Sequence, residues 1–170
     1  MLLLLAGLFL GCSRNSGSDT PYNPSDRKIT KRIIPVVEKY VFSQLPGAKK
    51  TISENGIIII GNEQKRYVLE PSMIFTGLID DDKEKDAIVS LATFQGQFQT
   101  VSEQLIILKT GRDFRLARAI ESDMRIISLK DRIITADVPE HSRNTPLFNC
   151  PSCWEVVKYQ FTMGELVKVE

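Results

Sequence analysis

Residues 86–121 read DAIVSLATFQGQFQTVSEQLIILKTGRDFRLARAIE, and the fold turns on this stretch. It holds three apolar runs, Asp86–Thr93, Val101–Lys109 and Phe114–Glu121, in which Ile, Val, Thr and Phe concentrate. Short β-branched and aromatic runs bounded by turn-forming residues suit strands. Gly111-Arg112 is a natural hairpin loop between the second and third runs. Strands joined so closely must be antiparallel, because a parallel crossover needs about a dozen residues.

The pattern continues on both sides. Upstream lie Gly56–Gly61 (GIIIIG), Lys65–Glu70 and Met73–Ile79; downstream lie Arg125–Leu129, Arg132–Val138, Trp154–Thr162 and Glu165–Val169. Gly61-Asn62, Lys130-Asp131 and Met163-Gly164 supply further short loops. Before the strands, Ile29, Ile33, Val36, Val37, Tyr40, Val41 and Leu45 recur at helical spacing, with Arg27, Lys28, Lys31, Arg32, Glu38 and Lys39 between them. This predicts an amphipathic helix that Pro46-Gly47 ends. Pro35 should kink it, or mark the first turn of a shorter helix starting near Ile33. Its basic face is either solvated or in touch with anionic lipid headgroups. The expected class is α+β: one domain over residues 28–170, an N-terminal amphipathic helix packed on a mostly antiparallel, strongly twisted β-sheet.

Composition narrows the function classes. The 170 residues are 42% hydrophobic and 25% charged, which excludes collagen-like, coiled-coil and wholly disordered chains. With 22 Lys+Arg against 21 Asp+Glu there is no global basic field, and nucleic acid is not an expected partner. One histidine and three cysteines exclude a four-cysteine cage or a histidine pair within the chain.

Met1–Leu10 reads MLLLLAGLFL, too short for a hydrocarbon core that needs roughly 20 helical residues. Its length suits the apolar region of a signal peptide. Phe9-Leu10-Gly11-Cys12 resembles the lipobox of bacterial lipoproteins. The resemblance implies a signal peptide at 1–11, lipid on Cys12, and a membrane-anchored place in the bacterial cell envelope, periplasmic or surface-exposed. Residues 12–27 (CSRNSGSDTPYNPSDR) then form a flexible tether, too poor in apolar residues to offset their ordering entropy.

The acidic segment Asp80-Asp81-Asp82-Lys83-Glu84-Lys85-Asp86 joins two apolar runs. Asp80, Asp82 and Asp86-Ala87-Ile88-Val89 look like the D-x-D-G-x-x-D-A-[IV]-[VL] element of secreted bacterial proteins with calcium-loop modules. The likeness extends loosely over residues 76–169 to an uncharacterised family of secreted bacterial proteins with an acidic loop and a C-terminal cysteine pair. It implies calcium on Asp80, Asp82 and Asp86. Lys83 stands where that element has glycine, and Leu78 where it has a first Asp. The alternative is a charge-balanced loop in which Asp86 bonds backbone amides.

Cys150-Pro151-Ser152-Cys153 has three readings. The oxidising compartment that lipidation implies favours a disulfide. Zinc would take Cys150, Cys153 and His141, with Asp137, Glu140 or a partner as fourth ligand. A redox pair would need a helix after the first cysteine, where a strand is expected. Between them and the preceding strand runs a long loop, Pro139–Asn149, whose His141, Arg143 and Phe148, with Trp154, form a candidate binding surface. These features point to a non-enzymatic binding or accessory module that needs no cofactor and meets the membrane and another envelope protein. An envelope hydrolase, a thiol-disulfide enzyme and a calcium-binding module are the alternatives.

Overall fold

The computed structural model describes residues 26–139 and 154–169. Helix α1 (Asp26–Gln44) is followed by β1 (Lys49–Ile52), β2 (Ile58–Gly61), β3 (Lys65–Leu69), a 3-10 turn (Pro71–Met73), β4 (Ile74–Gly77), β5 (Asp86–Gln95), β6 (Phe98–Thr110) and β7 (Asp113–Glu121). Then come β8 (Arg125–Lys130), β9 (Ile133–Pro139), β10 (Trp154–Thr162) and β11 (Glu165–Val169). All pairings are antiparallel. The class is therefore α+β, with mostly antiparallel sheet and one helix among the described residues.

The strands build two sheets where one was expected. The larger runs β1-β2-β3-β5-β6-β7, with β4 also on β5; the smaller runs β11-β10-β9-β8. Strand β5 is shared lengthwise, because β3 pairs with its Ala92–Gln95 half and β4 with its Asp86–Val89 half.

The reason for the second sheet lies in the central strands. Successive side chains of a strand point to opposite faces. Ala87, Val89 and Leu91 of β5 and Leu105 and Ile107 of β6 share a buried cluster with Ile33, Val37 and Val41 of α1 and with Ile58, Ile60, Tyr67 and Leu69. Ile88 and Ile106, between them in sequence, join Ile79, Ile126, Ile134 and Ala136 in a second cluster. Both faces of the β5–β6 pair are thus apolar, and a helix on one leaves the other to be covered. The strands after β7 cover it. Their approach is close: a Cβ on Gly77 of β4 would lie 2.9 Å from Leu129 Cγ of β8.

Local departures have similar causes. The helix is continuous from Asp26 to Gln44 with Pro35 inside it, so it does not start near Ile33. Buried Thr30 and Ile33 before the proline and Val37 and Val41 after it hold the helix on both sides of the missing amide bond. The β8–β9 turn is Asp131-Arg132, one residue later than expected, with both residues at positive φ (52° and 65°). That is the sense a two-residue hairpin turn requires. The strand read as Met73–Ile79 starts only after the 3-10 turn.

Candidate functional site

Two places in the described residues gather chemistry-bearing side chains. The first is the loop between β4 and β5. Asp86 is fully buried at its C-terminal end. Its Oδ2 accepts the Ile79 amide at 2.9 Å and its Oδ1 the Lys109 amide at 2.9 Å, so one side chain ties the loop to β5 and β6. Burial pushes the Asp86 carboxyl above its ordinary value of 3.8; the two amides pull it back, and the Asp80 carboxylate pushes it up again.

Ahead of Asp86 the backbone winds round its own carboxylates. Asp80 Oδ1 accepts the Asp82 amide at 3.0 Å, and Asp82 Oδ1 accepts the Glu84 amide at 2.7 Å. Lys83, at the glycine position of the calcium-loop element, has φ of 62°, the left-handed conformation glycine adopts freely. One oxygen from each of Asp80, Asp82 and Asp86 lies within 4.8 Å of the others. Calcium–oxygen distances of about 2.3–2.6 Å let a single ion reach ligands that far apart. Around this trio the outer charges are paired: Glu84 with Lys109, and Asp81 with Arg132.

The second place is a groove of about 440 Å³ at the seam of the two sheets. Val68, Ala92, Phe94 and Gln104 come from the larger sheet; Arg125 and Trp154 come from the smaller, with Met124 just ahead of β8. Gln104 is fully buried; it donates through Nε2 to the Met124 carbonyl at 2.9 Å and accepts from the Ser90 hydroxyl at 2.6 Å. Arg125 is held by Asp137 through two guanidinium nitrogens, one at 3.1 Å, and lies 5.9 Å from the Trp154 ring centroid. The Arg66 guanidinium lies 5.0 Å over the Phe94 ring. The Phe94 and Trp154 rings and the Arg125 guanidinium therefore share this wall.

The structure brings Asp80, Asp82 and Asp86 together and puts Trp154, 40% exposed, on the groove. Asp137, considered as a zinc ligand, is engaged by Arg125. Cys12, Cys150, Cys153, His141, Arg143 and Phe148 lie outside the described residues. Gln104, Arg125 and Phe94 escaped sequence reasoning, because they sit on separate strands with no shared spacing. No protein-family model, no curated protein and no solved structure matches the chain.

Proposed function

We propose that this chain is a lipid-anchored bacterial cell-envelope protein whose folded part is a binding or accessory module rather than an enzyme. The observation that carries the reading is Phe9-Leu10-Gly11-Cys12 at the end of an uninterrupted apolar run, followed by the polar stretch Ser13–Asp26. Several acyl chains on one cysteine, at about 0.8 kcal/mol per buried methylene, make a long-lived anchor. No helix among the described residues is long and apolar enough to cross a membrane, and an anchor needs none. In this reading α1 is the N-terminal cover of the larger, strongly twisted sheet, residues 28–170 form one domain, and Cys150 pairs with Cys153. The groove edged by Phe94, Arg125 and Trp154 is the binding surface, suited to another envelope protein because Trp and Arg anchor interfaces well.

Intact-mass measurement of the membrane-extracted protein tests the anchor. The expected species has lost residues 1–11 and carries acyl mass on Cys12, and Cys12→Ala abolishes both changes. An unacylated wild-type protein refutes the reading.

A second reading is favoured by one observation, the convergence of Asp80, Asp82 and Asp86 around a Lys83 turn at positive φ. We infer a calcium-binding loop, in which the ion would draw on these carboxylates and on loop carbonyls. A ligand of the folded state raises the thermal midpoint. Millimolar calcium is expected to raise it in wild type and to leave Asp82→Asn nearly unmoved; equal midpoints in wild type with and without calcium end the idea.

A further inference from the structure

We propose that the outward stripe of α1, together with the neighbouring β6–β7 corner, is a docking face for an anionic phospholipid bilayer. The inference rests on the lipid-anchored reading for the nearness of a bilayer, and on the following geometry for the choice of face. Ile33, Val37 and Val41 point into the core. At about 100° per residue, Lys28, Lys31, Arg32, Pro35, Lys39 and Phe42 fall within about 60° of the direction opposite Val37. All six are exposed. The stripe contains four cations, one aromatic and no carboxylate; Glu38 lies to its side and is bonded to Lys50.

The fold widens this stripe into a surface. Arg32 donates to the Arg112 carbonyl and lies 4.9 Å over the Phe114 ring, which seats the β6–β7 turn against the helix. Arg115 lines the groove between α1 and β7 together with Lys39, and Arg112 is exposed beside it. Six cations thus meet on one side of a chain whose net charge is only +1, against the single exposed carboxylate Asp113 at the corner. Basic side chains round an exposed aromatic are the makings of an interfacial surface: the long stems lie along the apolar boundary while the charges meet headgroups.

The covalent path decides between a bilayer and another anionic partner. Asp26, where α1 begins, is 14 residues from Cys12. At about 3.4 Å per residue the helix can be no farther than roughly 50 Å from a lipidated Cys12. Tethering on that scale corresponds to an effective concentration on the order of millimolar, so a modest attraction is enough to dock the face.

The test uses the protein extracted from the membranes of cells expressing the whole chain and reconstituted into vesicles of phosphatidylcholine alone or mixed with phosphatidylglycerol. Lysine acetylation rates are read by mass spectrometry. Lys28, Lys31 and Lys39 should acetylate at least about fivefold more slowly on the anionic vesicles, the factor that one basic contact contributes near such a surface. Exposed Lys130 and Lys158 on the smaller sheet should not change, and high salt should erase the difference. Arg112→Gln/Arg115→Gln keeps every reporting lysine and should weaken the protection, with unchanged Lys130 and Lys158 rates showing that the fold persists. Protein retained on both vesicle types with equal lysine rates refutes the docking face and leaves the anchor standing. Retention on anionic vesicles alone, with protection, refutes the anchor and supports the face; retention on neither refutes both.

Discussion

Glu103 and Gln104 are neighbours on β6, yet they serve opposite covers of the same sheet. Glu103 faces the helix and accepts the Tyr40 hydroxyl at 2.7 Å; Gln104 faces the smaller sheet and donates to the Met124 carbonyl at 2.9 Å. Each bond has an aliphatic companion on the same strand, Leu105 and Ile107 on the helix side and Ile106 on the other. The two sides differ in their surroundings. Tyr40 borders the open groove between α1 and β7, and Glu103 keeps 8% of its surface exposed; Gln104 itself is fully buried, while its partners Ser90 and Met124 line the groove between the sheets. One strand thus holds a helix and a sheet with polar clasps that differ in which member water reaches: the Glu103 acceptor on one side, the partners of Gln104 on the other.

The strongest way to break this comparison is to hollow each face in turn. Ile106 and Ile107 are both fully buried but belong to different clusters. Truncating a buried isoleucine to alanine costs about 2–5 kcal/mol through lost transfer energy and the cavity left behind. Ile106→Ala and Ile107→Ala should each lower stability in urea by about 3 kcal/mol in a single transition. A second transition appearing only in Ile106→Ala would show that the smaller sheet folds apart from the helix side, and the shared-strand account would fail.

Those faces also show why some of the molecule is legible in its sequence and some is not. β5 and β6 are readable because burial on both sides makes them almost continuously apolar. β1, Lys49–Ile52, was missed because all four residues are exposed and only backbone pairing to β2 makes it a strand. The β5–β6 hairpin likewise outruns its core, pairing Gln95 with Phe98 around Gly96 at φ of 60°, in a stretch whose polarity predicts loop. The division into two sheets was invisible, since it depends on Ile88 and Ile106 meeting Ile126 and Ile134 across the chain. Within the acidic loop the carboxylates were legible because they are close in sequence. The positive φ of Lys83 was not, because nothing in a lysine announces it.

The finest test of the two clasps takes the side-chain bonds from each, two from Gln104 and one from Tyr40. Gln104→Leu keeps roughly the side-chain volume but takes the partner from the Met124 carbonyl and the Ser90 hydroxyl, both half-buried at the groove between the sheets. A buried polar group left unpaired costs about 1–3 kcal/mol; with groove water open to both groups, a loss of about 1 kcal/mol is expected. Tyr40→Phe removes a bond to a carboxylate, which in isolation is worth about 1.5–3 kcal/mol. Burial and the bond to Glu103 both push the Tyr40 phenol above its ordinary range, so it remains a neutral donor at physiological pH and the bond is intact in wild type. The bordering groove lets water replace the lost hydroxyl, and a water-mediated contact recovers much of a direct one. The cost should therefore fall to about 1 kcal/mol, close to that of Gln104→Leu although the bond removed is the stronger. A clearly larger loss for Gln104→Leu in urea denaturation would mean that the groove between the sheets is dry. A larger loss for Tyr40→Phe would mean that the groove beside α1 is dry, and that the helix is held more rigidly than the sheet.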